Sequence, residues 1–181
     1  MSEEEAARQQ LRAFRQACGQ FVTGVTVLTA QEGDHVHAMT ANAFMSVSLE
    51  PLLVATALNR SAKMRQVLQH QPDFAISILN HDQQYWSDKF GGRPLTQAEP
   101  VAVPVPFHAE DDRYAVVDEA AAWFLCTAVQ EVEAGDHILI IAQVSRFGIG
   151  FDGPKPLVFF GGRYYHHLDE ERETEWLLLE R

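Results

Sequence analysis

The sequence predicts a mainly β fold, an antiparallel barrel with peripheral helices, and three observations carry that reading. Runs rich in Val, Ile, Thr and Phe recur along the chain with turn residues between them, the helical stretches are few and short, and the connections are too brief for repeated β–α–β crossovers. With 181 residues and 46% hydrophobic composition, the chain can bury one good-sized core, so 1–181 is expected to form a single domain.

The elements follow in order. Residues 1–20 read as an N-terminal helix, because Leu11, Phe14 and Cys18 fall at helical spacing over 4–19 and Gly19 stops the run. Its apolar stripe is expected to dock on the body. Strands are expected over 23–30, 36–49 and 52–58, separated by the 31–34 turn and by Glu50-Pro51. Ser61 opens a helical segment through His70, with Met64, Val67 and Leu68 on one side; a strand over 74–79 and a second helical piece over 81–90 follow. Segment 91–112 carries Gly92, Pro94, Pro100, Pro104 and Pro106, which predicts a long surface loop. Strands over 120–133 and 137–147 should form a hairpin about the 133–136 turn, with a further strand over 157–160. The charged tail 168–181 is expected to pack a last helical turn through residues 176–179.

Composition narrows the function classes. Fourteen Lys and Arg against 25 Asp and Glu give a formal charge of −11 with no segregated basic patch, which disfavours nucleic acid and anionic membranes as partners. Cys18 and Cys126 lie far apart in apolar surroundings, so a reduced, cytoplasmic protein is expected rather than a disulfide scaffold. The first residues are acidic, unlike an ordinary signal peptide, and no apolar run reaches transmembrane length. The pairs His35/His37 and His166/His167 lack accompanying ligands at metal spacing, so no metal is expected.

The most informative stretch is 39–51, where small polar residues interrupt a β-prone run. Thr40, Ala41, Asn42, Ala43, Ser46 and Ser48 offer short hydroxyl and amide groups with close backbone approach, which suits a flat, hydrogen-bonding ligand such as a flavin; a strand with one solvated polar face is the plainer alternative. Asn59-Arg60-Ser61 precedes a helical segment, so Ser61 can cap it while free N–H groups and Arg60 or Lys63 attract phosphate, although a Ser at this place can be a cap and nothing more. Phe90-Gly91-Gly92 ends a helix with residues that allow close backbone approach, or is simply a stop. No Gly-rich dinucleotide fingerprint is present, so a nicotinamide would bind without a Rossmann unit.

Taken as a set and in this order, Val25-Thr-Val-Leu-Thr29, Met39-Thr-Ala-Asn-Ala-Phe-Met-Ser-Val-Ser-Leu-Glu-Pro51, Asn59-Arg-Ser61, Phe74-Ala-Ile-Ser-Ile-Leu79, Phe90-Gly-Gly92, Gly135-Asp-His137 and Pro156-Leu-Val-Phe-Phe-Gly-Gly-Arg-Tyr164 resemble the flavin reductase-like family. The resemblance spans about 14–164. It implies a six-stranded, Greek-key-like split β-barrel, a homodimer with FMN or FAD near the subunit interface, and NADH or NADPH as hydride donor. It further implies that Thr40, Ala41, Asn42 and Ala43 lie at the flavin ring and ribityl chain, with Ser46, Val47 and Ser48 continuing the strand. Phe90 and Gly91 would then lie near flavin or nicotinamide, His137 near the nicotinamide as the residue to single out in catalysis, and Arg163 and Tyr164 where they can reach a nucleotide. Two departures stand out: Ala43 where the family often has Ser, and Leu52 where it often has a second Pro. The expected function is NAD(P)H:flavin oxidoreduction, supplying reduced flavin to a partner monooxygenase. The alternatives are a flavoprotein acting directly on an organic substrate and a flavin-binding module without turnover.

Overall fold

The computed structural model describes residues 2–92, 107–111, 113–150 and 155–166. Helix α1 (Glu3–Cys18) begins at Ser2, whose hydroxyl accepts from the Glu5 N–H at 3.2 Å while the Glu5 carboxylate accepts from the Ser2 N–H at 2.8 Å. This reciprocal cap satisfies two otherwise orphaned donors, and three glutamates in the first turn suit the positive end of the helix dipole. The expected docking of its apolar stripe is corrected: no residue of α1 is buried, and Leu11 and Phe14 are 50% and 65% exposed. Helical period reveals that a face is apolar, not what covers it. Cys18, read as lying in apolar surroundings, is likewise exposed. The helix is fastened by its end, where the Gly161 N–H donates to the Gly19 carbonyl at 3.0 Å.

The chain continues through β1 (Thr23–Gly24), β2 (Thr26–Glu32), β3 (His35–Ala41), β4 (Phe44–Leu49), β5 (Leu52–Asn59), α2 (Lys63–His70), β6 (Asp73–Ile78), α3 (Gln84–Phe90), β7 (Phe107–Asp111), β8 (Tyr114–Val117), β9 (Ala122–Ala134), β10 (His137–Ile149), β11 (Val158–Phe160) and β12 (Arg163–Tyr165). Seven strands pair antiparallel in the order β3-β2-β6-β9-β10-β5-β4, flanked by a small β1-β11-β12 sheet and a β7-β8 hairpin. The fold is therefore mainly β and antiparallel. In place of a closed six-stranded ring, the large sheet has β3 and β4 as its two edges.

Those edges follow one another in the chain, with only Asn42 and Ala43 between them. Three Cα steps span at most about 11 Å, so the sheet must curl until its edges nearly meet. The single strand expected over 36–49 is thus two strands at opposite edges of one sheet; Asn42 and Ala43 carry no Gly or Pro signal that would mark the break.

Inside the curl, Leu28, Leu58, Phe74, Ile76, Ile138 and Ile140 are fully or almost fully buried, and α2 adds Met64, Val67 and Leu68 at i, i+3 and i+4. Each such side chain contributes roughly 1.5–3 kcal/mol on burial. The β7-β8 hairpin covers another part of the sheet: the Val117 N–H donates to Ser77 Oγ at 3.0 Å, and the Thr29 hydroxyl donates to the Ala115 carbonyl.

Three further expectations are corrected or fall elsewhere. Helix α2 is capped at Ala62, which has no capping side chain, while the Ser61 hydroxyl donates instead to Asn59 Oδ1 at 2.7 Å. The presumed loop over 91–112 contains β7, and its proline-rich part, 93–106, lies outside the described residues. The tail 168–181 lies outside them as well. The 133–136 turn does form a hairpin, with Gly135 at φ +64°, a left-handed conformation that glycine adopts without strain.

Candidate functional site

A cleft of about 840 Å³, within the range of small-molecule sites, opens between the end of β3 and the end of β5 with the start of β10. One wall is the end of β3 and the link after it, Met39, Thr40, Ala41, Asn42 and Ala43; the facing wall is Ala57, Asn59, Ala62 and His137; the end of α1 and the β11-β12 turn lie over them.

Each wall is pinned locally. The Thr26 hydroxyl donates to the Ala41 carbonyl at 2.7 Å, and the Thr40 hydroxyl donates to the Ser87 carbonyl at 2.8 Å, which ties β3 to α3. Ser87 Oγ also lies 2.8 Å from the Tyr164 hydroxyl, so α3 holds β3 and β12 together. Opposite, register places His137 against Asn59, and the Arg60 N–H donates to the Asp136 carbonyl at 3.0 Å. Asn59 Oδ1 accepts from both the N–H and the hydroxyl of Ser61.

His137 Nδ1 lies 2.8 Å from Asp136 Oδ1. The hydrogen bond from His137, followed by its charge and with a smaller share from Arg15, holds the Asp136 carboxyl below the usual carboxylate range. An ionised carboxylate only accepts, so Nδ1 carries the proton of this bond and the ring is oriented by it. Thr23 also lines the cleft, and its Oγ1, itself buried from solvent, has no hydrogen-bond partner among the described residues. A buried hydroxyl without a partner is costly unless a ligand or water completes it.

The structure brings Thr40, Ala41, Asn42, Ala43, Asn59 and His137 into one cleft. A smaller chamber of about 180 Å³ shares Thr40, Ala41 and Asn42 with it and is completed by Ser87, Gly91 and Tyr164. Phe90 turns away to stack on Phe107 and Trp86, with centroids 5.5 and 5.8 Å apart, and Arg163 is exposed on β12. Ser46 and Ser48 line a separate apolar depression of about 160 Å³ with Leu49, Leu52 and Phe147, and Val47 is exposed on the same strand. Arg60 pairs with Glu133 at 3.1 Å and Lys63 with Glu32 at 2.8 Å. Among the described residues, no group of three His, Cys, Asp or Glu side chains is placed to hold a metal ion.

Sequence reasoning missed the contributions of Phe14, Arg15, Gly19, Phe21 and Thr23, and of Phe159 and Phe160. A signal was available: a helix stop at Gly19 and a Gly161-Gly162 turn, two places where backbone can approach backbone closely.

The family model for the flavin reductase like domain matches residues 18–167. The chain is 36% identical over 154 residues to the NADH-dependent flavin reductase StyB of Pseudomonas fluorescens, covering 84% of this chain and 87% of that protein. It is 38% identical over 152 residues to the reductase component of 4-hydroxyphenylacetate 3-monooxygenase from Thermus thermophilus, covering 84% and 93%. Among solved structures, flavin reductase PheA2 in its native state superposes with a TM-score of 0.78 at 42% identity, over 87% of this chain and 97% of that one.

Proposed function

The chain belongs to the flavin reductase-like family, and from that premise we propose that it is an NADH-dependent flavin oxidoreductase that supplies reduced flavin to a partner monooxygenase. The cleft carries this reading. It has the volume for a flavin nucleotide, and its walls include Ala41, Ala43, Ala57, Ala62, Gly161 and Gly162, which leave backbone within reach of a flat ring. When bound, the flavin supplies the two-electron chemistry and accepts hydride from reduced nicotinamide.

The chain's own residues bind and orient. Thr40, Ala41, Asn42 and Ala43 hold the ring; because the Thr40 proton goes to Ser87, that hydroxyl can only accept from the ligand. Where Ala43 replaces a family serine, one hydrogen bond to flavin is absent. His137, fixed by Asp136, orients the nicotinamide carboxamide through Nε2. Asn59 lines the cleft at the turn into α2, whose Arg60 and Lys63 are engaged by Glu133 and Glu32, while Gly91 and Tyr164 border the smaller chamber on the nicotinamide side. Ser46, Val47 and Ser48 lie on the exposed face that a second subunit would cover.

The curled sheet, its edges joined by two residues, supports a split-barrel description, and the apolar face of β4 supports a homodimer. Two free thiols fit a reduced, cytoplasmic setting. No helix among the described residues is long and apolar enough to cross a membrane.

The test is to follow NADH oxidation at fixed protein while FMN or FAD is raised. Turnover that climbs and saturates with added flavin is expected, with NADPH a poorer donor. Flavin binding without nicotinamide oxidation at any flavin concentration would overturn the reductase reading.

A further inference from the structure

Twenty-five Asp and Glu residues set against 14 Lys and Arg give this chain its charge of −11, yet among the described residues no carboxylate lines the 840 Å³ cleft and one permanent cation does. Arg15, in the last turn of α1, is part of the lining, beside Phe14 and Cys18. Its charge reaches across the mouth, since it contributes, after His137, to holding the Asp136 carboxyl low. Arg60 and Lys63, the cations that the sequence pointed to, are already held by Glu133 and Glu32, whereas Arg15 makes no ion pair among the described residues. Helix α1 buries none of its own residues, and its end is fixed to the β11-β12 turn through Gly19 and Gly161. The helix has little packing role on this chain beyond carrying that end, and Arg15 with it, to the cleft.

We propose that Arg15 is the anion-recognising residue of the cleft and holds a phosphate of the nucleotide bound there. The assignment rests on the flavin reductase reading and deepens it. A guanidinium presents a fork of N–H donors that matches phosphoryl oxygens, and the nearest carboxylate whose charge it feels, Asp136, is already engaged by His137. In a strongly acidic chain, a cation in the cleft also draws an anionic ligand toward it.

The phosphate can belong to the flavin nucleotide or to the nicotinamide dinucleotide, and binding measurements on the full chain separate the two. Riboflavin, which lacks phosphate, and FMN are titrated into the wild-type protein and into Arg15→Gln and Arg15→Lys by quenching of flavin fluorescence. NAD⁺ is then titrated into the flavin-loaded proteins. Arg15→Gln is expected to weaken one phosphate-bearing ligand on the order of tenfold to a hundredfold while riboflavin affinity stays unchanged. Arg15→Lys, which keeps the charge and loses the fork, should fall between. A loss confined to FMN assigns the flavin phosphate; a loss confined to NAD⁺ assigns the dinucleotide. Unchanged binding of both ligands, or an equal loss for riboflavin and FMN, would overturn the role of Arg15. If the wild-type protein binds neither flavin, the underlying functional reading fails first, and the Arg15 assignment with it.

Discussion

At the scale of single residues, the two ends of the cleft differ in how tightly their chemistry is set. His137 is oriented by a neighbour that is fully exposed, so the Asp136–His137 bond has a direct titration signature. The Asp136 carboxyl lies below its ordinary range when folded; its stabilising share is therefore present above the unfolded value and is lost as pH falls through the folded one. In His137→Ala, the Asp136 carboxyl should titrate higher, back toward the usual range, by carbon-detected NMR, and flavin turnover should slow; an unmoved Asp136 midpoint would show that the ring does not hold it. The two cysteines offer a second check. Burial pushes the Cys126 thiol up to about 12, so at pH 8 it is almost wholly protonated as well as inaccessible, whereas Cys18 is exposed in the cleft lining. A thiol reagent should label one cysteine per chain in the native protein and two in guanidinium, and bound FMN should slow the single native reaction. Labelling of both thiols without denaturant would contradict the buried position of Cys126.

Elements are held by close approaches that a side chain would obstruct. A Cβ at Gly150 would come within 2.4 Å of the Ala120 carbonyl oxygen, a backbone atom fixed in the corner that leads into β9. One at Gly148 would meet the Trp123 ring at 2.6 Å, but a ring on a side chain can shift. Gly150→Ala is thus expected to cost about 1–3 kcal/mol and Gly148→Ala less, read as midpoints in urea; the reverse order would mean that the Trp123 ring is the more rigid neighbour. The same local physics explains which elements were legible in the sequence. Helix α2 and the β9-β10 hairpin were readable because an i, i+3, i+4 triplet and a glycine turn are short-range signals. The break between β3 and β4 was not, since it depends on the sheet's closing curvature rather than on residues 42 and 43. Strand β7 was absorbed into a loop because the prolines before it dominate that window, and the α1 stripe was read as a core face although none of the described residues covers it.

Across the whole molecule, the site could be read only in part, because its walls come from segments far apart in sequence. Thr40, Asn42, Asn59 and His137, which line the cleft, each belong to a local motif, but Arg15 and Thr23 join that lining only when the α1 end and β1 are carried over the sheet edge. Surface chemistry follows the same topology. Strand β4 is an edge of the large sheet, and it exposes Met45, Val47 and Leu49, the last to 86%; Leu52 and Phe147 extend the patch across β5 and β10. An apolar edge of this length invites pairing and is usually blunted by charge or covered. Covering it with a second copy would bury that patch and bring a second chain's Ser46–Ser48 segment beside its counterpart. The protein is therefore expected to sediment at twice its 20.3 kDa chain mass at micromolar concentration. Charges placed on the patch, Leu49→Lys with Phe147→Glu, should shift that equilibrium toward a folded monomer with native β-sheet circular dichroism and weaker flavin binding. A wild-type protein that remains monomeric at every concentration, or a charged variant that stays dimeric, would place the subunit contact on another face or remove it.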